Sequence, residues 1–220
     1  MSIARREMLG VMLVGCAGAV KGAHAGGGGK EEGEEEVTPA EDLMREHGAL
    51  ERVLLIYEEA VRRIEQHEAF DAAVIASAAD IVHRFVEGYH EKLEEDHLFP
   101  RFEKAGVLVD LVATLRAQHV AGREVTARIA TLAPNPGADL VVQLRAFTRM
   151  YRPHHAREDT VLFAALPKVI DPRELKELGE QFEDEEHRRF GKAGFEGVVA
   201  EVAQLERALA IDDLARFTPT

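Results

Sequence analysis

The sequence predicts an all-α fold, an up-and-down four-helix bundle followed by a C-terminal extension of two helices. The composition is that of a soluble helical protein, with 46% hydrophobic residues, no tryptophan and abundant Ala, Leu, Glu and Arg. Apolar residues recur in steps of three and four along four long segments, as on the buried side of bundle helices. No stretch keeps up the alternation of apolar and polar residues that is typical of strands.

The first two helices are predicted from a start signal and a stop signal. Thr38-Pro39-Ala40-Glu41 combines an N-cap threonine, a first-turn proline and the glutamate of a capping box, and the apolar pattern continues to about His67. His47 occupies a position in this pattern where an apolar residue is expected. The second helix is predicted from about Asp71 to Phe99, with Pro100 ending it.

The third and fourth helices are separated by a loop rich in proline. The third is predicted over 107–132 with His119 on its buried side, and the fourth from Asp139 to about Leu166. Pro153 falls inside the fourth helix, where it is expected to kink the helix and free a carbonyl. The bundle domain is therefore placed at residues 38–168.

Residues 169–220 predict a C-terminal helical extension that packs on the bundle. Asp171-Pro172 begins a fifth helix that ends near Phe190, and a sixth helix runs over 195–209. Gly191 and Gly194 separate the two helices.

Residues 1–25 resemble an export signal. Arg5-Arg6 precede a modest apolar run over 8–20, and Ala23-His24-Ala25 is an A-x-A cleavage pattern. Paired arginines before such a run resemble a twin-arginine signal, which predicts a periplasmic protein. The alternatives are a short membrane anchor or a chance apolar tail, in which case the protein stays in the cytoplasm.

Cys16 offers a second interpretation of the same segment. Leu13-Val14-Gly15-Cys16 resembles a lipoprotein cleavage box, so Cys16 is a candidate lipid anchor at the cell envelope, the one membrane contact expected. Residues 26–37, four glycines followed by an acidic run, are predicted to be a linker that cannot bury apolar surface.

One motif occurs twice and organises the chain. HEKLEEDHLF from His90 and HHAREDTVLF from His154 both read H-[EH]-x-x-E-[ED]-x-x-L-F. In each copy a histidine and a glutamate four residues later, Glu94 or Glu158, lie on the same face of a helix. An imidazole and a carboxylate directed the same way suit an iron-like cation.

The two motifs alternate with His47 and His119, so each of the four bundle helices carries one inward histidine. The order His, His-x-x-x-Glu, His, His-x-x-x-Glu is that of a duplicated helix pair. Four histidines and two carboxylates buried without a metal would be costly, because each buried polar group needs a partner. A bundle that collects ligands from all four helices is a known setting for metals.

This pattern resembles the hemerythrin-like (HHE cation-binding) domain over about Thr38 to Leu166. The resemblance implies a non-haem centre of two iron ions with an oxo or hydroxo bridge, which binds or reacts with dioxygen, peroxide or nitric oxide. Its implied ligands are four terminal histidines and two bridging glutamates: His47, His90, His119, His154, Glu94 and Glu158.

The sequence departs from the oxygen-carrying members of the family, which have a fifth histidine four residues from the first on the third helix. Leu115 and Arg123 stand at that spacing from His119. Two iron ions offer about twelve coordination positions, of which about two would stay open here, whereas a five-histidine centre leaves one open. The additional open position favours redox turnover, catalase-like or nitric-oxide-consuming, over oxygen carriage. Glu91 is a candidate extra ligand that could fill one of them. His97 is expected to support the site or the core rather than bind metal.

Two other functions compete with this interpretation. A ferritin-like carboxylate di-iron oxidase requires Glu-x-x-His on two different helices, whereas Glu87/His90 and Glu94/His97 lie on one. A metal-binding or structural bundle without catalysis is the other. The net charge of −13 argues against nucleic acid as a partner, and a single cysteine excludes an intrachain disulfide or a cysteine-built iron–sulfur site.

Overall fold

The structure, a computed structural model, describes residues 37–219, and this range contains helices but no strand. None of the described helices is both long and apolar enough to span a membrane. The all-α prediction is confirmed. The helices are labelled in chain order as α1 Pro39–Gln66, α2 residues 73–105, α3 Val109–Leu132, α4 residues 138–168, α5 Pro172–Phe190 and α6 Gly194–Ala208. The predicted export signal and nearly all of the predicted linker lie outside the described residues.

Helix α1 begins as the sequence predicts. The Thr38 side chain accepts a hydrogen bond from the Glu41 amide at 3.3 Å, and the Thr38 amide donates to Glu41 Oε2 at 2.8 Å. This capping box satisfies two amides that a helix start otherwise leaves without partners. The helix ends at His67, whose left-handed backbone (φ 57°) closes the last turn.

Helix α2 is longer than predicted, because Pro100 does not end it. The helix is α-helical at first, turns into wider π-helix over Val82–His90 and Glu94–Leu98, and continues as Phe99–Ala105. The π segment directly before Pro100 resets the hydrogen-bonding register, so the missing amide of the proline falls at the start of a new α segment. Gly106 in the left-handed conformation (φ 68°) then ends the helix.

Helix α4 also changes its winding beside the predicted ligands. It continues as α-helix through Pro153 to Arg157, becomes π-helix over Glu158–Leu162 and ends as a 3₁₀ segment over Phe163–Lys168. The departure from α geometry therefore starts at Glu158, five residues after the proline. Short π segments are frequent at functional sites, and here one begins at the glutamate of each repeated motif.

The first four helices surround a common core. α4 packs against both α1 and α3, and α2 packs against α1 and α3. Fully buried aromatic side chains fill the space between them, among them Tyr57, Phe85, Phe147 and Tyr151. The core also contains polar side chains at one level, which is where the repeated motifs meet.

The predicted C-terminal helices form and pack on α1 and α2. Asp171 caps α5 by accepting from the amides of Arg173 and Glu174, and the structure has α5 end at Phe190. Phe182 of α5 and Val202 of α6 are buried in the same core as the bundle side chains. The extension thus covers the outer face of the first helix pair.

Candidate metal centre

The six side chains expected as ligands lie together in the core. Each is at most 4% exposed, and both glutamates are fully buried. They come from four helices: His47 from α1, His90 and Glu94 from α2, His119 from α3, and His154 and Glu158 from α4. Two groups of three bring their ligand atoms within 4.8 Å of one another, one built around His47 and His90 and the other around His119 and His154.

The four histidines form two pairs whose Nε2 atoms meet. His47 Nε2 lies 2.9 Å from His90 Nε2, and His119 Nε2 lies 3.2 Å from His154 Nε2. Each pair therefore takes one histidine from each helix of a repeated helix pair. The arrangement gives two points in the core at which two imidazole nitrogens converge.

The two glutamates lie between the histidine pairs. Glu158 Oε1 is 3.1 Å from His154 Nε2, while its Oε2 is 3.4 Å from His47 Nε2. Glu94 Oε2 is 3.5 Å from His119 Nε2 and 3.9 Å from His90 Nε2. Each carboxylate thus contacts both pairs, which is the position a bridging ligand takes.

The outer nitrogen of each histidine is held by an oxygen from a neighbouring helix. These contacts form a closed ring around the bundle: Glu46 to His90 at 2.6 Å, Glu95 to His119 at 3.1 Å, Gln118 to His154 at 2.9 Å and Asp159 to His47 at 2.7 Å. A hydrogen bond at Nδ1 fixes the orientation of an imidazole and raises the basicity of Nε2.

This ring determines what the centre can hold. When Nδ1–H donates outward, Nε2 presents a lone pair inward, so each histidine pair directs two lone pairs at one another. The four oxygens of Glu94 and Glu158 are buried and have no hydrogen-bond partner. Buried anions and converging lone pairs cost several kcal/mol unless a cation or protons compensate them. Imidazole nitrogen with carboxylate oxygen is a donor set that suits iron, so these residues fit a pair of such ions.

The protonation of the metal-free centre follows from the same contacts. Burial and the charge of Glu158 raise the pKa of Glu94 well above its ordinary value. Burial acts against ionisation of Glu158 as well, but His154 and His47 hold its pKa well below the usual range. Burial likewise opposes charge on His47, and the carboxylates of Asp159 and Glu158 nevertheless raise its pKa to about 9. The metal-free centre therefore retains protons that a metal would displace.

Glu91, the candidate extra ligand, is buried beside the centre and has both oxygens engaged. Tyr151 Oη donates to its Oε1 at 2.7 Å, and Arg123 Nη2 donates to its Oε2 at 2.7 Å. Arg123, which stands at one of the two spacings open to a fifth histidine, also donates to Glu95 at 2.6 Å. Ligation by Glu91 stays a prediction and would require it to exchange one of these hydrogen bonds for a metal bond.

Three of the described histidines outside the group of six lie on α2 and α4, the helices that carry the repeated motif. His97 packs edge-on against Phe182 of α5, so it faces the extension rather than the centre. His155 is buried and hydrogen-bonded to Glu51 at 2.7 Å. His83 lies on the outer side of the π segment that carries Glu87, and its side chain is 77% exposed.

The sequence reasoning missed the four residues of the supporting ring. Each of them is the immediate sequence neighbour of a predicted ligand: Glu46, Glu95, Gln118 and Asp159. That adjacency, with a carboxylate or amide beside His47, Glu94, His119 and Glu158, was a signal present in the sequence. What could not be read from it is that each supports a ligand on a different helix.

Comparisons with known proteins agree with this site. The hemerythrin HHE cation-binding domain matches residues 38–166. Rv1995 of Mycobacterium tuberculosis (strain ATCC 25618 / H37Rv) and Mb2018 of Mycobacterium bovis, both described as uncharacterized proteins, are each 49% identical over 191 residues, which is 84% of this chain and 75% of each relative. No solved structure gives a significant match. The domain match covers more than half of the sequence and includes all six clustered side chains, and the chain therefore belongs to the hemerythrin HHE cation-binding family.

Proposed function

We propose that this protein holds a carboxylate-bridged pair of non-haem iron ions in an up-and-down four-helix bundle, and that it binds or reacts with dioxygen, peroxide or nitric oxide there. The observation that carries the proposal is the paired geometry of the core. Two histidine pairs converge at Nε2, and two carboxylates without hydrogen-bond partners lie between them. When bound, such a pair of ions supplies reversible redox chemistry and Lewis acidity toward small oxidants.

The residues of the chain divide the work in this proposal. His47 and His90 hold one ion, His119 and His154 hold the other, and the two glutamates join them. The supporting ring directs Nε2 of each histidine inward and raises its basicity toward a metal ion. The enclosing apolar side chains keep bulk water away from the centre, which strengthens each electrostatic contact inside it.

A redox role rather than oxygen carriage is favoured by the third helix. Arg123 forms hydrogen bonds to Glu91 and Glu95, and Leu115 is buried among apolar side chains. Neither side chain supplies a fifth imidazole nitrogen. With six protein ligands, the centre keeps more open positions for a small oxidant than a five-histidine centre has.

The direct test is to measure iron content together with the absorption spectrum. Protein produced with iron is expected to contain two irons per chain and to show near-ultraviolet charge-transfer bands, which change when peroxide is added. The same protein loaded with zinc is the control and should be colourless. An iron-loaded protein without these bands, or a protein that binds no iron, would reject the proposal.

The cellular location is part of this proposal. The paired arginines at residues 5 and 6 and the A-x-A pattern favour export of the protein to the periplasm or, through Cys16, to a lipid-anchored position at the cell envelope. Twin-arginine transport moves folded proteins, which suits a centre that is loaded with metal before export.

A further inference from the structure

A groove between α2 and α3 runs from the surface toward the metal centre. It has a volume of about 550 Å³, with exposed alanines such as Ala127 at its mouth and Glu87, Thr126 and Arg123 deeper in its lining. The α2 wall of the groove includes part of the π segment Val82–His90. Gly88 also lines it, so no side chain narrows the groove at that position.

The inner lining contains polar atoms that no protein group satisfies. Glu87 is 4% exposed and Thr126 is 3% exposed, yet Glu87 Oε1 and Thr126 Oγ1 have no hydrogen-bond partner. The hydroxyl of Tyr57 is also buried without a hydrogen-bond partner. Burial raises the pKa of Tyr57, and the nearby Glu87 carboxylate raises it further. Buried polar atoms are almost always hydrogen-bonded, so these atoms indicate bound water or another small polar solute.

Arg123 connects the groove to the centre. Its side chain lines the groove, and its guanidinium reaches Glu91 at 2.7 Å and Glu95 at 2.6 Å. Glu95 in turn holds His119, while Glu91 accepts from Tyr151, whose ring lies 5.4 Å from that of His154. One layer of side chains therefore separates the end of the groove from the histidines.

Gly122 leaves the space that this layer needs. A Cβ atom at residue 122 would lie 2.1 Å from the Tyr151 hydroxyl, so any side chain there would displace the tyrosine from Glu91. The layer thus consists of Tyr151, Glu91 and Arg123 joined by hydrogen bonds, with Gly122 leaving room for the tyrosine.

The charges of the groove favour a neutral occupant. Glu87 faces His83 at 3.2 Å, Asp80 pairs with Arg84 at 3.0 Å, and Arg123 is shared by two carboxylates. Because each of these charged side chains has a hydrogen-bond or ion-pair partner, the lining offers hydrogen-bonding atoms without a strong field of either sign.

We infer that this groove is the outer part of the access route by which a small neutral hydrogen-bonding solute, hydrogen peroxide or water, passes from solvent to the layer of side chains that borders the metal centre. Glu87 and Thr126 provide its polar lining, and Arg123 stands at its inner end. The inference rests on the proposed function for its destination. The openness of the groove itself can be measured without metal.

The metal-free test uses cysteine accessibility in a Cys16→Ala background, with methyl methanethiosulfonate as a small neutral probe. Thr126→Cys should react at least about ten times faster than Ile129→Cys, a buried position on the same helix outside the groove. Adding Ala127→Phe at the mouth should slow the reaction of Thr126→Cys about tenfold. Adding Ala121→Phe, an exposed position of α3 outside the groove, should leave it unchanged. Equal protection of both cysteines, or no effect of Ala127→Phe, would overturn the inference.

The second measurement uses the iron-loaded protein with Thr126 intact. Ala127→Phe should slow the spectral change after mixing with hydrogen peroxide about tenfold at unchanged iron content, whereas Ala121→Phe should not. An unchanged rate in a protein whose groove is blocked to the thiol probe would show that peroxide enters elsewhere, which refutes the route. Absence of iron from the unmodified protein would refute the proposed function, and the cysteine experiment would still report the groove.

Discussion

Glu46 Oε2 lies 2.6 Å from His90 Nδ1, so the residue beside one proposed ligand in the sequence orients another proposed ligand on the next helix. Gln118 has the corresponding place before His119 and supports His154 at 2.9 Å. The two halves of the bundle thus use the same contact with a carboxylate in one half and a neutral amide in the other. This difference makes the two histidine pairs chemically unequal.

Exchanging these two groups should change metal affinity in opposite directions. Glu46→Gln removes the carboxyl group behind His90 and is expected to lower affinity about tenfold, the lower end of the usual range for such supporting groups. Gln118→Glu should raise the affinity, because a carboxylate makes His154 more basic. Titration against a coloured chelator measures both. Identical affinities in the two variants and the unmodified protein would show that the ring does not influence the metal.

Removing a bridging carboxylate should reduce the number of bound ions. In Glu158→Gln the volume is kept, but the negative charge that contacts both histidine pairs is lost, so the protein should bind one iron or none instead of two. His155→Ala is the control, since His155 is bonded to Glu51 and lies outside the six. Metal analysis after gel filtration gives the count, and equal metal loss in both variants contradicts this assignment.

The metal-free protein should lose stability as the pH rises from 6.5 to 9. The pKa of His47 is about 9 in the folded state against an ordinary value of 6.5, so the folded state binds an extra proton whose contribution is present below pH 6.5 and lost through pH 9. Burial raises the pKa of Glu91 to about 8, which acts in the same direction. Each proton changes the free energy of unfolding by up to about 1.4 kcal/mol per pH unit.

Urea unfolding at several pH values checks this slope, with the metal-loaded protein as the comparison. Because metals displace these protons, loading should flatten or reverse the pH dependence. A metal-free protein whose stability is constant between pH 6.5 and 9 would contradict the assigned protonation of the centre.

The iron-loaded protein is expected to consume peroxide rather than to carry oxygen reversibly. The physical reason is the absence of a fifth histidine, with Arg123 and Leu115 at the two positions that would suit one. Oxygen evolution after addition of peroxide is measured beside a cycle of deoxygenation and re-oxygenation. Clean reversible oxygen binding without peroxide consumption would favour a carrier.

Export is tested at the N-terminus, which lies outside the described residues. Replacing Arg5 and Arg6 by lysine should leave the protein in the cytoplasm, because twin-arginine signals require the arginine pair. Cys16→Ala separates the two forms of export, since only a lipid-anchored protein would move from the membrane fraction to the soluble fraction. A mature protein that retains Met1 and an unchanged location would disprove the signal.

The six side chains that cluster in the core could be predicted from the sequence, while the helix that each supporting residue serves could not. His47 and Glu158 stand out because a polar side chain on an otherwise apolar helix face repeats in register. Asp159 repeats in register with Glu95 as well. The sequence does not show which histidine it supports, since that depends on which helix lies beside α4. The continuation of α2 past Pro100 was missed for a related reason: π-helix is set by the packing of the core and has no composition of its own.

The ring of supports makes each helix pair incomplete by itself. Within the first pair Glu46 serves His90, but His47 depends on Asp159, and Glu95 serves His119 of the other pair. As separate chains, the two helix pairs would have to associate in solution, and the complex that forms their joint centre would dissociate on dilution. Linked in one chain, they meet at an effective concentration on the order of millimolar. The covalent duplication therefore lets one molecule assemble its centre alone, however dilute the protein is.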